Sequence, residues 1–197
     1  MQSDLELAWG YIKYRNVDAL KKLLKGDVPQ QAAISDQSND IRYLVHAAAA
    51  FGSVDCLKYL AECGADLNVD TPSGYSCVHW AAYGGWVEIL EYLQTRNIPL
   101  NKADLTGQTA LHVAAARGHL NVVKFLITSK LSININQTAQ YKWTPLHFAV
   151  AYGHTNIARY LIENNASIKE VDTLGRSPEV LAHEYNRNWQ LILNPSV

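Results

Sequence analysis

Apolar and polar residues recur along this chain in two patterns, both with the period of a helix. In the first, clearest at Leu111-His-Val-Ala-Ala-Ala116, small and aliphatic residues cover most sides of about two turns. A helix apolar on most sides must be buried between neighbours. In the second, Leu120-Asn-Val-Val-Lys-Phe-Leu-Ile127, aliphatic residues keep helical spacing and a charge stands on the other face. A glycine separates the two. Gly/Asp/Asn-bearing stretches such as Asp70-Thr-Pro-Ser-Gly74 and Asp104-Leu-Thr-Gly107 read as tight turns between successive pairs. The patterning therefore predicts a chain of helix pairs, each with a buried helix, a half-buried helix and a turn.

The pairs keep one register. His46, His79, His112 and His147 follow each other at intervals of 33, 33 and 35 residues. Each is followed two residues later by alanine (Ala48, Ala81, Ala114, Ala149), six later by glycine (Gly52, Gly85, Gly118, Gly153) and fourteen later by leucine (Leu60, Leu93, Leu126, Leu161). Degraded copies flank these four. Trp9 takes the histidine place in the first, with Leu23 fourteen on, and Val180 takes it in the last, where Asn186 stands for the glycine. The register gives six units, approximately 1–37, 38–70, 71–103, 104–138, 139–171 and 172–197, the outer two atypical as terminal units that face water must be. Thr109-Ala110, Thr144-Pro145, Ser177-Pro178 and, less well, Ser76-Cys77 place a hydroxyl cap before the first helix. The glycine supplies a left-handed cap at its end, a role Asn186 tolerates. The second helices end near Gly64, Asn97 and Asn165.

The stretches Gly107-Gln-Thr-Ala-Leu-His-Val-Ala-Ala-Ala-Arg-Gly-His119 and Lys142-Trp-Thr-Pro-Leu-His-Phe-Ala-Val-Ala-Tyr-Gly-His154 resemble ankyrin repeats, and the resemblance extends over essentially all 197 residues. It implies an all-α fold with β-turn fingers: an ankyrin-repeat solenoid of about six stacked helix–loop–helix units forming one domain. It also implies that the four recurring histidines are structural, bonding turn backbone between units. One histidine per unit is ~10 Å from the next, too far to share a metal.

The same resemblance implies a non-catalytic module that binds a protein through its concave face and fingers. Partner-facing positions lie four before the histidine and five after it. The finger column reads Arg42, Tyr75, Gln108, Trp143 and Arg176. The inner-helix column reads Tyr14, Phe51, Gly84, Arg117, Tyr152 and Tyr185, with Tyr83 and Tyr141 alongside. Tyr, Trp and Arg are the residues enriched at binding hot spots. Trp9, Trp80 and Trp189 fall in framework columns and read as packing; Trp86 is open between packing and binding. Adaptor, scaffold, stoichiometric inhibitor, regulatory subunit of a separate enzyme and pathogen effector all fit this reading. Leu60…Asp66-Leu67-Asn68 is similar to the asparaginyl-hydroxylation context of the family, which makes Asn68 a candidate modification site.

Composition narrows the picture further. The chain has 17 Lys+Arg against 18 Asp+Glu, a net charge of −1, which removes the usual electrostatic case for nucleic acid or an anionic membrane. Charge is nonetheless uneven: Lys13, Arg15, Lys21, Lys22 and Lys25 make the first unit basic, while Asp55, Glu62, Asp66 and Asp70 make the second acidic. Cys56, Cys63 and Cys77 fit neither a disulfide framework nor a zinc spacing and point to a reducing compartment. Cys77 opens a helix near His79, but no catalytic motif accompanies it, so neither enzyme activity nor cofactor is expected. The N-terminus has no leader pattern and no apolar run spans a bilayer. A cytoplasmic monomer is expected, with the nucleus open, or the host cytosol for a secreted effector. Two fingers depart from the period: Gly26–Asp40, and Ser132–Tyr141 with Lys142 in the turn-glycine place. Of 19 aromatics, 16 are Tyr or Trp.

Overall fold

The computed structural model describes residues 2–25, 40–129 and 133–193. Twelve α-helices lie among them: α1 (Gln2–Lys13), α2 (Val17–Lys25), α3 (Asp40–Ala50), α4 (Val54–Glu62), α5 (Cys77–Gly84), α6 (Val87–Thr95), α7 (Ala110–Arg117), α8 (Leu120–Thr128), α9 (Pro145–Ala151), α10 (Thr155–Glu163), α11 (Pro178–Glu184) and α12 (Trp189–Leu193). They divide into two compact units, Met1–Pro99 and Leu100–Val197. In the first, α1, α3 and α5 pack in series as inner helices, backed by α2, α4 and α6. In the second, α7, α9 and α11 do the same, backed by α8, α10 and α12.

Each unit buries the aliphatic residues that the patterning marks. Ile12, Leu20, Leu57, Ile89, Leu90 and Leu93 are fully enclosed in the first, and Leu111, Leu126, Leu146, Ile157, Leu161 and Leu181 in the second. Each such side chain contributes about 2 kcal/mol by leaving water.

The recurring histidine closes α5, α7 and α9 at their starts. The backbone N–H of Ser76, Thr109 and Thr144 donates to Nδ1 of His79, His112 and His147 at 3.2, 3.1 and 3.2 Å, and each cap hydroxyl lies within 3.0 Å of the same nitrogen. Because Nδ1 accepts, the ring proton sits on Nε2. That proton is donated to the following turn: His112 to Gln137 O at 2.9 Å and His147 to Arg176 O at 3.3 Å, with His46 to Val69 O at 3.0 Å alike. The ring thus ties a helix start to the next finger, and it does so uncharged.

Each inner helix ends on a left-handed residue: Arg15 at φ +56° after α1, Gly52, Gly85, Gly118 and Gly153 at +67°, +81°, +82° and +78°, and Asn186 at +53°. A second constraint falls on Gly52, Gly118 and Gly153. The residue after the cap reaches back one copy and donates to the last carbonyls of the preceding inner helix. Trp86 Nε1 meets Ala50 O at 2.7 Å, His154 Nε2 meets Ala116 O at 3.0 Å, and Arg187 Nη2 meets Ala151 O at 3.5 Å. These side chains lie directly on the glycines, so a Cβ on Gly118 would stand 2.7 Å from His154 Cε1 and one on Gly153 2.8 Å from Arg187 Cζ. Trp86, left open by the sequence, is therefore framework.

Two sequence expectations change. Helix α3 starts at Asp40, an extra turn early, so Ile41 and Arg42 are helical and Arg42 is not a finger residue. Residues 26–39 of the first irregular finger, and Ser132 of the second, lie outside the described residues. Trp9 is not core: it is 42% exposed, edge-on to Phe51 with centroids 4.9 Å apart.

Candidate protein-binding surfaces

The fingers are short turns whose geometry the sequence dictates. Gly74, Gly107 and Gly175 sit at φ +82°, +79° and +75°, and single antiparallel bridges join Asp70 to Ser76 and Ala103 to Thr109. An oxygen three residues before the glycine closes each turn. Thr71 Oγ1 takes the Tyr75 N–H at 3.0 Å, Asp104 Oδ1 takes the Thr106 and Gln108 N–H groups at 2.8 Å each, and Asp172 Oδ1 takes those of Leu174 and Arg176 at 2.8 and 2.9 Å. The finger of the fifth copy differs as its sequence foretells. Ala139 offers no side-chain acceptor, and Tyr141 and Lys142 are both left-handed at φ +61°.

Each unit carries one continuous row of rings from finger to inner helix. In the first, Tyr75 lies 4.9 Å from His79 and 5.3 Å from Trp80, and Trp80 lies 5.7 Å from Tyr83. In the second, Trp143 stacks over His147 at 6.4 Å and meets Phe148 edge-on at 5.1 Å, and Phe148 runs parallel to Tyr152 at 6.5 Å. The inner ring of each row is half-covered and the last ring open: Tyr83 is 38% exposed and Tyr152 59%. Such a row presents rigid apolar area with a hydroxyl at its end, the chemistry of a hot-spot surface.

The remaining sequence-named residues separate into groups. Tyr14, Tyr141 and Tyr185 are exposed, as is Arg117 at the end of α7. Phe51 packs against Trp9, while Gln108 folds back onto Thr106 Oγ1 at 3.1 Å. Arg176 is engaged internally: Nη2 lies 2.7 Å from Asp172 Oδ2 and Nη1 lies 3.0 Å from Glu184 Oε2. Gly84 packs under Trp86 and offers a partner no side chain. The side chain of Arg42 lies outside the described residues. Asn68 is exposed beyond α4, its backbone N–H held by Asp66 Oδ1 at 2.8 Å.

Sequence reasoning missed Phe148; it and Trp80, which the sequence reads as packing, link the rows one residue after the histidine. The signal was available in that column, where Trp80 and Phe148 replace the small or aliphatic Ala47 and Val113. It also missed a set of rings on the outer helices. Lys21 lies over Tyr59 at 5.5 Å and Lys58 over Tyr92 at 5.9 Å in the first unit, and Lys124 over Tyr160 at 5.7 Å in the second. These cation–π pairs join neighbouring outer helices.

Buried thiols and recesses offer little chemistry. Burial, reinforced by Asp55, pushes the Cys56 thiol up to about 11. Burial, reinforced chiefly by Asp66, pushes Cys77 up to about 12 despite its place at a helix start. A recess lined by Leu100, Thr109, Leu111, Ile133 and Gln137 measures about 160 Å³, against the ~300 Å³ at which ligand sites begin. Among the described residues no three His, Cys, Asp or Glu side chains converge as metal ligands, and no helix is long and apolar enough to cross a membrane.

Paired helices, histidine-capped starts, glycine-capped ends and turn fingers define a repeat protein of the ankyrin type. A family model for ankyrin repeats, three copies long, matches residues 9–104, 45–139, 95–172 and 130–190. The chain belongs to the ankyrin repeat family. No curated protein matches it at a meaningful level of similarity.

Proposed function

We propose that this protein binds another protein through the aromatic rows on its fingers and inner helices, and does no chemistry of its own. It acts as an adaptor, scaffold or stoichiometric inhibitor. One observation carries the reading: each unit has a contiguous row of rings, Tyr75–Trp80–Tyr83 and Trp143–Phe148–Tyr152, ending in an exposed tyrosine. The terminal rings reach beyond the core, Tyr83 at 38% and Tyr152 at 59% exposure, so part of each is left in water and adds nothing to core burial. Ankyrin repeats generally serve as protein-interaction modules, which supports the class but not the partner.

Tyr152→Ala and Arg117→Ala together test it, because both side chains are exposed. Affinity capture from native cells with quantitative mass spectrometry should lose its principal partner in the double variant, with the thermal midpoint nearly unchanged. A partner retained at full recovery overturns the reading. A catalytic polypeptide among the captured proteins would assign the role of a regulatory subunit. The free thiols Cys56, Cys63 and Cys77 support a reducing compartment, such as the cytoplasm. For Asn68, hydroxylation requires an asparaginyl oxygenase in the same compartment; a tryptic peptide lacking one added oxygen after co-expression removes the idea.

A further inference from the structure

The finger that carries Trp143 lacks the lock its neighbours have. On either side Asp104 and Asp172 close their own turns through Oδ1. At the corresponding place stands Ala139, and the turn passes through Tyr141 and Lys142 at φ +61°, a conformation that costs a residue with a Cβ roughly 1–2 kcal/mol. A turn strained in this way persists only where its surroundings over-determine it.

The neighbouring fingers supply that support. Gln140 N–H donates to Thr106 O at 2.7 Å, and Thr173 N–H donates to Tyr141 O at 3.0 Å. Trp143 Nε1–H donates to Asp172 Oδ2 at 3.3 Å. Asp172 is itself buried and saturated. Oδ1 holds its own turn, while Oδ2 also accepts from Arg176 Nε at 2.8 Å and lies 2.7 Å from Arg176 Nη2. Glu184 Oε2, 3.0 Å from Nη1, braces the guanidinium from α11.

We propose that Asp172 is a positioning residue for the binding surface of the second unit. The sixth finger lends the fifth the carboxylate that Ala139 lacks, and that carboxylate sets the plane of the Trp143 ring. The proposal rests on the reading of the Trp143–Phe148–Tyr152 row as a partner surface. It also refines the partner's chemistry. With its N–H occupied, Trp143 offers ring area alone, so the partner places an apolar side chain there and hydrogen-bonds at the Tyr152 hydroxyl. Arg176 acts through Asp172 instead of touching the partner.

The test uses the full ¹⁵N-labelled chain, with the Trp143 indole resonance assigned by its loss in Trp143→Phe. Asp172→Asn is the informative variant. Its Oδ1 still accepts the Leu174 and Arg176 N–H groups, while its NH₂ confronts the indole donor. The indole proton should exchange with solvent roughly tenfold faster or more, and its resonance should shift, with the Leu174 and Arg176 amides still protected. An indole resonance and exchange rate matching wild type overturn the proposal. Should Asp172→Asn lose the sixth finger altogether, Arg176→Gln decides. It leaves the carboxylate and turn in place but strips Oδ2 of its guanidinium contacts, leaving the indole as its partner; the indole resonance moves if Asp172 positions it, and an unmoved resonance overturns the idea.

A peptide selected from a random library on the full chain provides the functional arm. A binder lost in Tyr152→Ala should weaken at least fivefold in Asp172→Asn, and unchanged affinity counts against positioning. Binders indifferent to Tyr152→Ala would sink the surface reading, while the indole measurement, which needs no partner, still decides the role of Asp172.

Discussion

At Gly118 two independent demands meet: φ is +82°, and the His154 ring occupies the space a side chain would take. Alanine here meets both the left-handed cost and a 2.7 Å approach to His154 Cε1. Gly118→Ala should therefore cost about 2 kcal/mol or more, and Gly118→Val more still, by urea denaturation. Combining Gly118→Ala with His154→Ala should recover part of the loss, because one of the two demands disappears. The neutral histidines give a second residue-scale expectation. Burial holds the His147 imidazole below its ordinary 6.5, against the opposing pull of the Arg176 carbonyl and the charges of Asp172 and Glu170. The folded ring therefore takes its proton at lower pH than the unfolded one. Stability is fully present above 6.5 and declines as pH falls from there toward the folded value, because the unfolded state binds the proton first. His147→Gln should make the midpoint-versus-pH curve shallower over that window while lowering stability at neutral pH.

Elements here are too short to stand alone: inner helices of seven or eight residues such as α7 and α9 owe their existence to packing and to ties between copies. One tie spans three copies in the first unit. Arg15, after α1, donates to Phe51 O at 3.3 and 3.1 Å and lies 4.5 Å from the Trp86 ring centroid. Arg15→Ala should loosen α1 and α2 selectively, read as faster amide exchange there with α5 and α6 unchanged. In the fifth finger the strain at Lys142 suggests the opposite change. Lys142→Gly removes a left-handed cost of roughly 1–2 kcal/mol against a backbone-entropy loss of about 0.4–1, so the thermal midpoint should rise slightly. A fall would mean that the lysine side chain contributes more than its backbone costs.

Across the whole molecule, acid should act late on the sixth finger. Burial alone would raise the Asp172 carboxyl, but hydrogen bonds from Arg176, Leu174 and Trp143 outweigh it and bring it from 3.8 down to about 2. Its stabilising contribution is thus present above 3.8 and lost as pH falls toward about 2. Asp172→Asn should remove that part of the acid limb in a circular-dichroism titration. Much of the architecture was legible beforehand. The helix pairs, capping hydroxyls, left-handed glycines and Asn186 follow from local chemistry that each residue carries with it. The aromatic excess was harder. Its division into framework rings, exposed rings and outer-helix Lys–Tyr pairs depends on packing between copies: Trp86 is tied to Ala50 O, while Tyr152 is 59% exposed.

What the sequence by itself determined is the repeat: its period, its helix starts and stops, and the family, because these rest on propensities and backbone preferences local to a few residues. Tertiary structure alone decided the surroundings of Arg42, Trp86, Arg176 and Asp172. Each is fixed by a partner elsewhere in the fold or by where a helix begins: Trp86 by Ala50 O, Arg176 by Glu184, Asp172 by the Trp143 indole, and Arg42 by the early start of α3. A side chain's role at a binding surface depends on which of its polar groups are already occupied, and that is a property of neighbours in space.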